Sequence, residues 1–249
     1  MLRLVDETTS TNDLMKTWLT QGCEQGVAVL AKRQTQGRGR HGRAWSSEAG
    51  LGLYLSVGLR LRAPAVRLPW VALAVAPALL SVLTRCGAKD LGLKWPNDLL
   101  GGDRKLGGVL CESVAEAGTG ALVVGVGINL RTPAGGWPDA LRDHAVALDA
   151  LGCDAAPDRE SLAASLRVAV VEAAGWVEEG DTERIVQAWS PWDRSRGRRV
   201  VVEGPPRREG VAAGLSPRGG LWVELDEGTS VEVRAGEVRF ASWGSPEPA

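Results

Sequence analysis

The sequence predicts an α+β domain followed by a small all-β module, and three observations support this prediction. Residues 26–31 and 51–61 are continuously apolar or alternate between apolar and polar residues, as strands do. Residues 68–85 form an apolar stretch of helical length. Beyond residue 193 no confident helical pattern remains, and short strand candidates alternate with turns. We therefore place the domain boundaries at residues 1–193 and 194–249.

Composition and charge exclude several classes of protein. Apolar residues make up 44% and charged residues 24% of the 249 residues, so neither a disordered chain nor a coiled coil is expected. The 29 basic and 30 acidic residues leave a net charge of −1, which gives no global attraction to nucleic acid or to anionic membranes. The longest uncharged apolar stretch, residues 68–84, is shorter than the ~20 residues of a membrane span. With no secretory signal at the start, we expect a cytoplasmic protein that binds neither nucleic acid nor membrane.

Cysteine and lysine usage adds two expectations. The four cysteines have neither zinc nor redox-motif spacing, so reduced thiols and no structural metal site are expected. Only five of the 29 basic residues are lysine. In so arginine-rich a chain, Lys94 and Lys105 are candidates for a role that needs a compact ammonium group.

The N-terminal helix is predicted to begin at a cap. Ser10 stands at the cap position, and Asp13 lies three residues on, as in a capping box. Apolar residues then recur at helical spacing up to Gly22. The sequence therefore predicts a short amphipathic helix after Ser10.

The long apolar helix carries three informative residues. Pro69 lies in its first turn, where proline is favourable, and Gly87 is placed to end it. Pro77 lies in its interior and predicts a kink.

The remaining elements follow from shorter patterns. Three further strands are predicted at residues 91–95, 105–111 and 121–128. Three helices are predicted at residues 139–151, 158–179 and 182–189. Five strands are predicted in the C-terminal module, at residues 199–203, 210–215, 220–225, 230–234 and 237–242. Such a series of short strands with turns between them indicates a small barrel.

A basic, glycine-rich loop is the first candidate site. Residues 37–42 match G-x-G-x-x-G, but three polar residues separate them from the strand and no apolar helix follows, which disfavours a dinucleotide site. Residues 25–47 contain five basic residues and no acidic residue. A loop of this kind can fold over a phosphate or carboxylate ligand. A plain solvated loop and a nucleic-acid patch are the alternatives, although Trp45 alone is available for stacking there.

Two more clusters follow along the chain. Residues 94–99 read KWPNDL, and residues 104–108 read RKLGG, where paired glycines permit close approach to a strand. Residues 125–129 read GVGIN, with a polar residue ending an apolar strand. An ordinary hairpin turn is the alternative interpretation of the first cluster.

These motifs, taken in order, resemble those of the bacterial biotin protein ligases. The resemblance covers most of residues 5–130 and includes Ser10-Thr11-Asn12, Gln34 and the GRGRHGR loop. It implies a catalytic domain with a mixed sheet, related to class II aminoacyl-tRNA synthetases, and a C-terminal SH3-like barrel. It also implies a reaction in which biotin and ATP give biotinyl-5′-adenylate and pyrophosphate. A lysine of a biotin carboxyl carrier protein then attacks the adenylate and releases AMP.

The resemblance also implies roles for individual residues. Catalytic roles fall to Lys105 and Arg40. The implied biotin-binding residues are Ser10, Thr11, Asn12, Gln34, Arg38, Gly39, Arg40, Lys105, Gly107 and Gly108. The implied ATP-binding residues are Arg38, Arg40, Arg43, Trp45, Asn97 and Asn129. Mg²⁺ is implied on the ATP phosphates; no residue is assigned to the metal, and Asp98 is the candidate ligand. His41 stands where the family usually has another basic residue, and we assign it no catalytic role.

Alternative functions and partners remain open at this point. A lipoate ligase or an octanoyl transferase would use a related scaffold, and the transferase would require a nucleophilic cysteine, for which Cys111 is a poor candidate. A DNA-binding biotin sensor would require a helix-turn-helix before the first motif, which begins at Ser10, so we expect a ligase without repressor activity. The resemblance implies the biotinyl domain of a carboxylase as the partner. For the oligomeric state, it implies a weak or ligand-driven homodimer.

Overall fold

The computed structural model describes residues 1–117, 120–153, 158–204 and 206–243. Residues 244–249 of the predicted C-terminal module, and Pro205 of one predicted turn, lie outside the described residues.

A seven-stranded mixed sheet forms the centre of the larger part of the molecule. Its strands run in the order β1-β2-β3-β7-β6-β5-β4. The β1–β2 pair is parallel, and every other neighbouring pair is antiparallel. The strands are β1 (Leu2–Thr8), β2 (Ala28–Gln34), β3 (Gly52–Arg60), β4 (Leu91–Lys94), β5 (Asp98–Gly101), β6 (Arg104–Ser113) and β7 (Ala121–Asn129).

Helices cover both faces of this sheet. The described helices are α1 (Thr11–Thr20), α2 (Trp70–Arg85), α3 (Asp139–Arg142), α4 (Arg159–Glu179) and α5 (Thr182–Trp189). The α2 and α4 helices pack against each other and form the main core with one face of the sheet. On the other face, Met15 and Leu19 of α1 form a smaller core with Val29 and Val123. Successive strand residues point to opposite faces, so Val123 and Val124 belong to different cores.

A second, antiparallel sheet follows. Its five strands run in the order β11-β10-β9-β8-β12. They are β8 (Arg199–Glu203), β9 (Arg208–Leu215), β10 (Leu221–Leu225), β11 (Ser230–Val233) and β12 (Glu237–Phe240). The α+β class, the mixed sheet and the following all-β module are thus confirmed. The two parts touch closely: Trp95 Nε1 donates to the carbonyl of Gly219 (3.0 Å).

Several local predictions need correction. The β1 strand was not predicted from the sequence. Asp98, expected in a turn, begins strand β5. The predicted 139–151 helix is only the short α3 and a 3₁₀ turn at Leu148–Leu151. Between them Ala145 pairs as a β-bridge with Lys105, which an unbroken helix could not do.

The two predicted helix ends have mixed outcomes. Ser10 is the N-cap residue of α1, but its side chain makes no capping hydrogen bond, and Asp13 pairs with Arg38 instead of completing a capping box. The α2 helix runs as one element through Pro77 and is followed by Gly87 at φ 95°, a conformation that favours glycine.

No helix among the described residues is long and apolar enough to span a bilayer.

Candidate active site

A cavity of about 360 Å³ lies where the basic loop, the central strands of the seven-stranded sheet and the C-terminal module meet. The structure brings nearly all of the predicted site residues together there. Those lining it are Ser10, Thr11, Asn12, Gln34, Arg38, Gly39, Arg40, Arg43, Trp45, Asn97, Asp98, Lys105, Gly108 and Asn129. Gly107 is absent from this lining, because the position of a Cβ there would fall 2.4 Å from the carbonyl of Gly127 on the neighbouring strand.

One wall of the cavity is a chain of neutral hydrogen-bonding groups. The parallel β1–β2 pair brings the start of α1 beside the end of β2. The backbone N–H of Thr11 donates to Gln34 Oε1 (2.8 Å), and Gln34 Nε2 donates to Ser47 Oγ (2.9 Å). Ser56, on β3, lies 2.8 Å from the Thr11 hydroxyl oxygen. Such a wall offers both donors and acceptors to an uncharged polar ring.

Asn12 connects this wall to a carboxylate. Its Oδ1 accepts from Ser56 Oγ (2.6 Å), and its Nδ2 donates to Glu112 (2.6 Å). Gly125 leaves the room that Asn12 needs, since a Cβ there would lie 2.4 Å from Asn12 Oδ1. Sequence reasoning missed Ser56 and Glu112, because both are strand residues whose alternation alone gives no functional signal.

Arg38 belongs to a balanced group of four charges. Its guanidinium donates to Asp13 (2.6 Å) and lies 3.4 Å from Glu112, while Lys16 donates to Glu112 (2.7 Å). The Arg38 hydrogen bond is the main reason that the pKa of Asp13 lies below its usual value. The two cations and the two carboxylates leave no net charge. Because Arg38 pairs with residues of α1 and β6, it fixes the start of the loop to these two elements.

A second charge cluster carries a net positive charge. Asp98 is 7% exposed and Lys94 4% exposed, and each Asp98 oxygen accepts from one lysine: Oδ2 from Lys94 and Oδ1 from Lys105, both at 2.6 Å. Burial alone would raise the pKa of Asp98, but the two ammonium groups outweigh it and hold the pKa well below its ordinary range. Two cations on one carboxylate leave one positive charge at the cavity.

This arrangement does not fit Asp98 as a ligand for Mg²⁺. Both carboxylate oxygens already accept from ammonium groups, which would also repel a cation. Within the part of the chain that the structure describes, there is no cluster of three or more His, Cys, Asp or Glu residues able to hold a metal ion.

The other end of the cavity has aromatic and amide groups. Lys105 Nζ lies 5.6 Å from the centre of the Trp45 ring, whose Nε1 is buried without a hydrogen-bond partner. Asn97 Nδ2 donates to the carbonyl of Val109 (2.7 Å), and Asn129 Nδ2 donates to the carbonyl of Val146 (3.1 Å). Both amides thus fix loops at the cavity edge.

The segment that contains α3 adds lining residues that the sequence did not indicate. They are Trp137, Leu141, His144 and Ala145. The Trp137 ring in a Gly/Pro-rich segment was the one available signal, and it is a weak one.

The C-terminal module closes the cavity from the side of β12. Glu237, Val238 and Arg239 line it, and none of them was predicted. Arg40 donates to the carbonyl of Gly236 (2.9 Å), and Arg43 pairs with both oxygens of Glu237. The basic loop is therefore held by the module at its far end.

Two residues discussed in the sequence lie outside the cavity lining. His41 is exposed at φ 57° on the loop and does not line the cavity. Cys111 faces a second, neighbouring cavity. Burial, and to a smaller degree the Glu112 carboxylate, raise the pKa of the Cys111 thiol to about 12, so it is a poor nucleophile.

Comparison with known sequences agrees with this geometry. Residues 4–129 match the biotin/lipoate A/B protein ligase family. The chain belongs to this family. Among curated members, the biotin–[acetyl-CoA-carboxylase] ligase of Mycobacterium tuberculosis is 35% identical over 244 residues, covering 95% of this chain and 88% of that protein.

Solved structures of other members share the fold. The biotin protein ligase of Aquifex aeolicus in complex with biotin and ATP superimposes with a TM-score of 0.76 at 29% identity, covering 96% of this chain and 98% of that one. The Leishmania major biotin protein ligase in complex with biotinyl-5-AMP gives a TM-score of 0.60 at 26% identity, covering 94% and 98%. The resemblance stated from the motifs is confirmed.

Proposed function

We propose that this protein is an ATP-dependent biotin protein ligase that activates biotin as biotinyl-5′-AMP and transfers it to a carrier lysine. One observation carries the proposal: a neutral hydrogen-bonding wall and a positively charged cluster face each other across one cavity. The wall, built on Thr11 and Gln34, suits the cyclic urea of biotin. The charged side, with Lys105, suits a carboxylate meeting a phosphate. The named relative and the two ligand complexes support this assignment.

In the first step a biotin carboxylate oxygen attacks the α-phosphorus of ATP. A new O–P bond forms, the bond to the β-phosphate oxygen breaks, and pyrophosphate leaves with the electron pair. Two anions must approach each other, so fixed cations lower the barrier. Lys105 and Arg40 supply them: Lys105 belongs to the cluster with one excess positive charge, and the hydrogen bonds of Arg40 go to neutral oxygens.

Mg²⁺ is proposed to arrive with ATP, held by phosphate oxygens. Asp98 is not part of this proposal, since its oxygens are already engaged by two lysines. Trp45 is proposed to pack beside the nucleotide, with Asn97 and Asn129 at the same end.

In the second step the neutral amine of the carrier lysine attacks the biotinyl carbonyl carbon. An amide bond forms, the bond from the carbonyl carbon to the phosphate oxygen breaks, AMP leaves with the electron pair, and the attacking nitrogen gives up one proton to water. The mixed anhydride is reactive toward water, so a closed loop over residues 37–43 must shield it until the carrier arrives.

Partners and organisation complete the proposal. The acceptor is the biotinyl domain of a carboxylase, and the names of curated relatives support this class. Residues 1–193 are proposed as the biotin- and ATP-binding domain and residues 194–249 as an SH3-like module. A cytoplasmic location, the absence of a nucleic-acid partner and a weak or ligand-driven homodimer belong to the same proposal.

The test is pyrophosphate exchange into ATP with biotin, lipoate or octanoate as the acid. Exchange with biotin alone is the expected result. Exchange with lipoate but not biotin would move the assignment to a lipoate ligase. A folded sample that exchanges with none of the three acids would overturn the proposal.

A further inference from the structure

The basic loop is anchored at two ends that differ in chemistry. At its start, Arg38 pairs with Asp13 and Glu112, which belong to the same part of the molecule as the polar wall. At its far end, Arg40 and Arg43 reach across to the turn that opens β12 in the C-terminal module. The second anchor therefore joins two regions nearly two hundred residues apart in sequence.

The contact of Arg43 with Glu237 has the geometry of a paired ionic interaction. Arg43 Nη1 lies 2.7 Å from Glu237 Oε1, and Nη2 lies 2.7 Å from Oε2. This two-point match of a planar guanidinium to a carboxylate is directional as well as attractive. Beside it, Arg40 Nη2 donates to the carbonyl of Gly236 (2.9 Å), so two consecutive residues of one turn hold two arginines of one loop.

Glu237 is placed so that this contact affects the cavity. Its side chain is 27% exposed, and it lines the cavity together with Arg43. The loop backbone is hydrogen-bonded to itself, from the N–H of Gly39 to the carbonyl of Arg43 (2.7 Å) and from the N–H of Trp45 to the carbonyl of Gly37 (2.8 Å). The side-chain contacts at its two ends tie this closed loop to the rest of the molecule and set its position at the cavity.

We propose that Glu237 is a positioning residue that holds the loop closed through Arg43, so that the C-terminal module controls retention of the activated intermediate. This Arg43–Glu237 latch acts through the position of the loop. The inference rests on the proposed function for its consequence, retention of the adenylate, but the latch itself is a property of the ligand-free protein.

The size of the effect follows from exposure. Arg43 is 61% exposed, and exposed ion pairs contribute modestly and are weakened by salt. We therefore expect removal of the latch to raise loop opening about threefold to fivefold, and less at high salt. Neither folding nor the first chemical step should be lost.

The direct test is amide hydrogen exchange of residues 37–43 in the 249-residue chain, measured without added ligand. Glu237→Gln should raise exchange in this segment about threefold to fivefold, and Glu237→Arg more. The matched control is Asp226→Asn, which removes an exposed carboxylate that pairs with Arg199 in the same module, outside the cavity lining. Exchange in the loop should not change in this control.

Charge exchange separates a specific latch from a general effect of charge. Arg43→Glu combined with Glu237→Arg restores an opposite-charge pair, and loop protection should return toward the wild-type level. The proposal would be overturned if Glu237→Gln left amide exchange in the loop unchanged. It would also be overturned if the double variant exchanged in the loop as fast as Glu237→Arg. If Glu237→Arg fails to fold, the comparison of loop exchange between Glu237→Gln and Asp226→Asn is a sufficient test.

The functional readout is release of the adenylate, measured as labelling of a bystander lysine-rich protein. With labelling divided by each protein's own rate of pyrophosphate exchange, Glu237→Gln should label it about threefold to fivefold more than wild type. Higher loop exchange without added labelling would overturn the retention role. If the wild-type protein showed no biotin-dependent pyrophosphate exchange, the proposed function would be overturned. The latch would then be tested by amide hydrogen exchange alone.

Discussion

The ammonium group of Lys105 lies 2.6 Å from Oδ1 of Asp98, whose other oxygen holds Lys94 at the same distance. The two lysines are not equivalent. Both line the cavity, but the Lys94 side chain is 5% exposed and that of Lys105 is 35% exposed. Lys105 and Lys94 together keep Asp98 ionised, and Asp98 in turn directs the more exposed Lys105 toward the cavity.

Lys105→Ala should abolish most acid activation while leaving the fold intact. The variant removes a cation at the point where two anions meet, and one such group is typically worth about 10²–10³ in rate. Asp98 retains Lys94, so no buried charge is left unpaired. Biotin-dependent pyrophosphate exchange measures the loss, with Lys32→Ala, an exposed lysine outside the cavity lining, as the control. Exchange at the wild-type rate would remove Lys105 from the mechanism.

Asp98→Asn should destabilise the protein strongly. It removes the carboxylate that the buried Lys94 shares with Lys105, and breaking a buried pair typically costs about 3–5 kcal/mol. Urea denaturation at pH 7 measures the difference in unfolding free energy. A loss below about 1 kcal/mol would show that the cluster is solvated and not buried.

The same carboxylate predicts a pH dependence. Its folded-state pKa is lowered, so its stabilising contribution is present above the unfolded-state pKa of about 4 and is lost as pH falls below that value. Wild-type stability should therefore fall more steeply than that of Asp98→Asn as pH drops below about 4. Parallel urea midpoints for the two proteins in this window would contradict the assignment.

Arg40→Gly should release the adenylate. Its guanidinium holds the loop to the Gly236 carbonyl, and glycine also loosens the backbone. We expect several-fold more labelling of bystander lysines, scored by biotin blotting of a mixed protein sample. Arg40→Ala separates the two causes, since it removes the guanidinium with less added backbone freedom. Bystander labelling no higher than wild type in both variants would show that the loop does not shield the intermediate.

Cys111→Ala should transfer biotin at the wild-type rate. With a pKa raised to about 12, fewer than roughly one thiol in ten thousand is ionised near neutral pH, too few for a covalent acyl intermediate. Carrier labelling under single-turnover conditions is the measurement. A variant that still activates the acid but no longer transfers it would favour the octanoyl-transferase chemistry.

The sequence predicted most of the side chains that line the cavity but few of their contacts. Thr11, Gln34 and Lys105 lie in short motifs whose residue types are tied to chemistry, so the sequence alone indicated them. Glu112 and Ser56 act through cross-strand contacts that depend on sheet register, which a single sequence does not specify.

The elements that were missed have physical reasons as well. The β1 strand is an edge strand with exposed charged residues, so its alternation is hidden. The 139–151 segment has helical composition, but the β-bridge at Ala145 and a burial run through Leu148 override local propensity. Glu237 reaches the site only because the C-terminal module folds back onto the basic loop, a contact of long sequence separation.

Glu112 fixes which groups of the polar wall donate hydrogen bonds and which accept them. An ionised carboxylate can only accept hydrogen bonds, so the side-chain nitrogen of Asn12 must face Glu112. The side-chain oxygen of Asn12 then faces Ser56, whose hydroxyl donates its one proton to it. Oxygen lone pairs of the wall are thereby left to receive N–H groups from a bound ring. A dithiolane ring, which carries no N–H, would leave such acceptors unpaired, at about 1–3 kcal/mol for each. Discrimination between two acids of similar length can thus originate in a half-buried carboxylate behind the wall.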